Sequence, residues 1–227
     1  MDDVDDICCS VEKWCLLVDH FSDAQRAALF YTGRSLHGML QIPSVLMRTN
    51  LIRFLVEAYD SQKNKFILKQ NLVEITLTAD DVYAIFGYEN VGLDIMSILA
   101  EEGSQAMRRV PKHFLSTKTG NLVIDDLIAQ IMGSDSSDEE FIQKAILVLI
   151  GTVIAPSSTR IIPKGYYALV EHVDRIPTLN WNAFTLQFCM ESLRFVKGDR
   201  VKCILGNRVK CIPIYLVPLE SQYSRRW

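Results

Sequence analysis

Four kinds of residue in this 227-residue chain have types and spacings that could do chemistry. They are the adjacent carboxylates Asp80 and Asp81, the four histidines His20, His37, His113 and His172, the six cysteines, and the basic run RRVPKH from Arg108 to His113. Paired carboxylates suit a metal ion or general acid–base work. Adjacent helical residues, however, point about 100° apart, and Thr78-Ala79-Asp80-Asp81 has the spacing of a capping box with Asp in place of Glu. The aspartates therefore have a structural explanation. His172 lies between Glu171 and Asp174, but a single histidine on a helix is more often structural than catalytic. Neither GxSxG nor HExxH occurs, so no nucleophile elbow and no zincin helix is present. A triad assembled in space from distant residues stays open. Cys8, Cys9, Cys15, Cys189, Cys203 and Cys211 include no CxxC pair, which argues against zinc and for free, mostly buried thiols. The reading is a protein with no enzymatic activity, no cofactor and no metal.

The basic residues are candidates for phosphate contacts: Arg108, Arg109 and Lys112 in RRVPKH, with Arg225 and Arg226 at the C-terminus. From Arg194 onward, eight Lys or Arg stand against two acids, Asp199 and Glu220, and Tyr215, Tyr223 or Trp227 could stack on bases. The formal net charge of −3 does not suggest a general nucleic-acid binder, and a solvated basic surface balanced by the acidic N-terminus is the favoured reading. GSDSSDEE, residues 133–140, fits an acid-directed kinase, but a polar loop whose Ser137 or Asp138 caps the next helix explains it better. The N-terminus MDDVDDICCS is acidic where a secretory signal would be basic. An intracellular, reducing location, nuclear or cytoplasmic, is expected.

Hydrophobic residues make up 49% of the chain, enough for a sizeable core. AILVLIGTVIA, from Ala145 to Ala155, is too short for a bilayer, which needs about 20 residues, so no membrane insertion is expected and a buried helix is. Helices are expected over Val11–Phe21, from Ser22-Asp23 to a stop at Gly33, and from a Ser44 cap to about Tyr59. FILKQNLVEITL, residues 66–77, alternates as a β-hairpin turning at Gln70-Asn71. A helix then runs from Thr78 to Gly87. Two short helices are expected over Gly92–Glu102 and Ser104–Phe114, and further ones over NLVIDDLIAQIM, from Glu139, over Lys164–Val173 and from an Asn180 cap. The expected class is mainly α with one small hairpin near 65–77. Its divisions are an acidic segment and first helix (1–21), a single helical domain (22–215) and a basic tail (216–227).

FLVEAYDSQKNKFILKQNLVEITLTADDVYAIFGYENVG resembles the signature of the plant mobile domain family, in which a helix ending "lve.yd" precedes "F.l....iTlt" and "eDV..i.Gl...G". ILVLIGTVIAPSSTRIIPKGYYALVEHVDRIPTLNWNAFTLQFCMESL resembles the family's later region around "yNWa". The two blocks keep the family's order and bracket about residues 54–193. The family occurs in plant transposable elements and in host genes derived from them. The resemblance implies a helical, non-catalytic domain despite the family's "aminotransferase-like" label, since Lys164-Gly165 lies in no glycine-rich phosphate loop. It implies a protein partner or self-association, with transposon silencing or gene expression in the nucleus as the nucleic-acid-linked alternative. Short transposon-related genes of grasses have also entered selfish toxin–antidote pairs, and that role is a further expectation by analogy. The stretch CILGNRVKCIPIYLVPLESQYSRRW replaces the family's usual later helix, which implies a C-terminally truncated, stand-alone member.

Overall fold

The computed structural model describes residues 11–32, 34–42, 49–68, 73–157 and 159–196. Gly33, Ser44, the Gln70-Asn71 turn, the basic tail and four of the cysteines (Cys8, Cys9, Cys203, Cys211) lie outside those residues.

Helix α7 (Glu139–Leu149) forms the centre. Asp138 caps it, its carboxylate accepting from Phe141 N at 2.9 Å. The first turn is charged, but from Ala145 every residue to Ala155 is buried. A helix apolar on all sides must be surrounded. α7 then widens into a π turn at Ile150–Ile154, closed by Ala155 N donating to Ile150 O at 2.7 Å. Around this axis lie α1 (Val11–His20), α2 (Asp23–Thr32) and α6 (Ile124–Met132). Val11, Trp14, Leu17 and Val18 of α1 join the same core cluster as α7.

The expected hairpin is a three-stranded antiparallel sheet. β2 (Lys65–Leu68) and β3 (Val73–Ile75) pair Phe66 with Ile75. β1 (Tyr59–Asp60), which follows helix α3 (Thr49–Ala58) directly, pairs Tyr59 with Phe66. The expected helix end near Tyr59 is thus a strand start. Asn64 adopts a left-handed φ of 57° in the β1–β2 turn, and its side chain accepts from Tyr59 Oη at 2.8 Å. A second, two-stranded sheet joins β4 (Leu122–Val123) to β5 (Ile161–Ile162). Leu122-Val123 of the expected helix is therefore extended, and α6 begins only at Ile124.

Helix α4 (Ala79–Phe86) follows β3. Asp81 accepts from both the amide and the hydroxyl of Thr78 at 2.8 Å, and Gly87, with φ 72°, ends the helix. The two short helices expected between Gly92 and Phe114 are instead one helix, α5 (Ile95–Arg109), followed by a 3₁₀ turn at Lys112–Phe114. Gly103 does not break α5. It is buried and faces Gly165, where a Cβ on either residue would meet the other's backbone at ordinary contact distance, 3.5 Å or more. Gly165 belongs to a 3₁₀ segment, Lys164–Leu169, where a longer helix to Val173 was expected. A second 3₁₀ segment, Val173–Thr178, leads to α8 (Trp181–Val196), capped as expected by Asn180 accepting from Ala183 N. The motif residues Phe66, Val82, Phe86, Trp181 and Phe184 are buried and Leu77 is half-buried, as expected of core side chains.

Asn182 joins α8 to α4. Fully buried, it donates from Nδ2 to Ala79 O at 2.9 Å and Tyr88 O at 2.6 Å. Replacing it by leucine takes the side-chain donor from the buried Tyr88 carbonyl and from the part-buried Ala79 carbonyl, and an unpaired buried acceptor costs about 1–3 kcal/mol. The expected result is a loss of at least that size in urea unfolding. Two glycines should respond in opposite directions. Gly92 has φ 119° and a Cβ there would lie 2.4 Å from Thr178 O, so Gly92→Ala should cost about 1–3 kcal/mol. Gly103→Ala has room and should gain up to about 1 kcal/mol from helix propensity. Thermal melts of the two variants check both signs.

Candidate functional site

Five of the residues singled out for chemistry, Cys15, His20, Asp81, Arg109 and His113, are held in structural contacts. Asp81 caps α4, and Asp80 lies beside it in the first turn. His20 is bonded through Nδ1 to Leu16 O at 2.6 Å, and His113 Nε2 lies 3.1 Å from Glu140 Oε1. Glu140 also pairs with Lys144, whose ammonium sits 5.0 Å from the Phe114 ring centroid. The side chain of His37 is outside those described, and His172 is exposed. Cys189 is buried, and burial pushes its thiol up to about 12. Burial first, then the Asp19 charge, also raises Cys15, whose Sγ donates to Ile42 O at 3.4 Å. Both thiols are thus protonated at neutral pH and weak nucleophiles. Among the described residues no group of three or more His, Cys, Asp or Glu is placed to hold a metal ion.

The basic run divides. Arg109 forms a two-pronged pair with Glu171, Nε to Oε1 at 2.5 Å and Nη2 to Oε2 at 2.7 Å. Arg108 and Lys112 are exposed, and Arg225 and Arg226 lie outside the described residues. One turn or more back along α5, Glu102 forms a second two-pronged pair, with Arg175 at 2.8 and 2.9 Å. α5 thus supplies an acid and then a base, and the segment 171–175 answers with an acid and then a base. Glu102 of one pair is the chain neighbour of Gly103, which packs against Gly165. Sequence reasoning missed both pairs, because each partner lies more than sixty residues away in the chain.

The loop 133–140 is similarly fixed. Ser22 and Gln25 cap α2 reciprocally, Ser22 N donating to Gln25 Oε1 and Gln25 N to Ser22 Oγ. The buried Gln25 side chain then donates from Nε2 to Ser134 O at 3.1 Å and Ser136 O at 3.0 Å. The S-x-x-Q spacing signals the cap, but nothing local signals the loop.

An open surface feature lies at the other face of α2. Arg26, Ala27 and Phe30 meet Leu40 and Gln41 across a shallow cleft of about 330 Å³. Leu40 and Gln41 belong to a 3₁₀ segment, Arg34–Gln41, that was not expected. Trp14 fixes that segment to α1, its Nε1 donating to Met39 O at 2.8 Å. The signal was the spacing of Leu36, Met39 and Leu40, three and four apart. Beside the cleft Tyr31 is 81% exposed and meets Phe30 edge to face at a centroid distance of 5.9 Å.

The architecture is that of a mainly helical domain with two small antiparallel sheets. The chain belongs to the family defined by a domain of unknown function, DUF8566, whose model matches residues 7–209. No curated protein and no solved structure matches it. Among the described residues no helix is long and apolar enough to cross a membrane.

The Arg175 guanidinium, with smaller help from Arg109 and His172, holds the Glu102 carboxyl below its ordinary value of 4.5. A carboxyl held low in the folded chain favours folding above that value and loses the contribution as acid protonates it. Asp125 behaves alike through Lys13 and then Arg160, which link α6 to α1 and to the approach to β5. The melting temperature should therefore be flat near neutral pH and fall as pH drops through and below about 4. Glu102→Gln should lower the neutral plateau and make the acid fall shallower. An acid limb unchanged by this substitution would show that the pair contributes nothing.

Proposed function

We propose that the chain is a non-catalytic interaction domain that works by binding a protein partner or a second copy of itself. The observation that carries this reading is the exposed aromatic pair Phe30–Tyr31, of which Phe30 lines the cleft between α2 and Arg34–Gln41. A tyrosine this exposed offers a large rigid apolar surface with a polar tip, the side-chain type enriched where proteins meet. Support also comes from the occupation of the chemistry-bearing residues: the caps, the histidine–carboxylate contact and the protonated thiols serve the fold. The resemblance to plant mobile domains supports the same reading at family level. On it rest the proposed origin in a plant transposable element and the proposed role in a toxin–antidote pair.

Light scattering on the purified full chain, with affinity purification of the tagged chain from plant tissue, tests the proposal. A defined homo-oligomer or one stoichiometric protein partner is expected. Tyr31→Glu should abolish it while leaving the helical circular dichroism intact. A monomer that retains no stoichiometric protein overturns the reading.

A second reading, association with nucleic acid, is favoured by the exposure of Arg108 and Lys112 at the end of α5. It requires binding that weakens steeply with salt. Joint replacement of Arg108 and Lys112 by glutamine should then reduce affinity for a mixed-sequence single strand several-fold in a gel-shift titration. Arg109→Gln would be a poor test, since Glu171 already holds that guanidinium.

A further inference from the structure

We draw no further inference here: the strongest candidate, the shallow cleft between α2 and the 3₁₀ segment Arg34–Gln41 with Phe30 in its lining, belongs to the reading already proposed, and nothing in the structure shows what covers it.

Discussion

The arrangement of the chain depends on one constraint, a central helix with no solvent-facing side from Ala145 onward. From Ala145 to Ala155 each residue is buried. A helix of this kind has no face to give to water, so its neighbours must enclose it. α1, α2 and α6 contribute their apolar stripes to that enclosure, and the small β4–β5 sheet packs against its far end. The π turn belongs to the same constraint. A Cβ on Gly151 would lie 2.8 Å from Ile162 and 3.2 Å from Ile124, so the glycine lets β5 and the start of α6 approach the widened turn. Buried Thr152 satisfies its hydroxyl within the helix by donating to Val148 O at 2.7 Å.

Polar groups then fix which neighbour sits where. Hydrophobic burial is not directional, whereas a buried side-chain amide that meets two carbonyls defines a position. Gln25 does this for the loop before α7, and Asn182 does it between α8 and α4. The crossed Arg–Glu pairs work at the surface of the α5 contact, where each is partly exposed and modest in energy. Their contribution is to orientation, since a two-pronged guanidinium–carboxylate pair accepts only a narrow range of geometry.

Helix starts were the most legible part of the sequence. Thr78, Asp138 and Asn180 each cap the expected helix, and Gly87 ends one, because a cap is decided by residues within one turn of each other. Misreadings arose where a distant segment decides the outcome. Gly103 looked like a break between two helices, yet α5 runs through it and packs it against Gly165, sixty-two residues later. Lys164–Val173 has helical composition, but the segment packs along α5, takes the tighter 3₁₀ form and stops at Leu169. Tyr59-Asp60 read as the end of a helix because a two-residue strand has no periodicity of its own. The candidate surface was less legible still. Tyr31 lies in an ordinary amphipathic pattern that does not announce its exposure. The split between Arg109 and its basic neighbours is set by Glu171, which no local motif announces.

The Gln25 contact has a consequence for the order of synthesis. Its two carbonyl partners lie 109 and 111 residues later in the chain. Lys13 likewise waits for Asp125, 112 residues on. At translation rates of about 5–20 residues per second, α1 and α2 emerge several seconds before the central helix exists to complete the cover of their apolar faces. During that interval Trp14, Leu17 and Leu29, all buried in the finished domain, lack the cover that the central helix supplies. The fold closes late, when the central helix clears the ribosome, and the long sequence separations make that closure slow for a helical protein of this size.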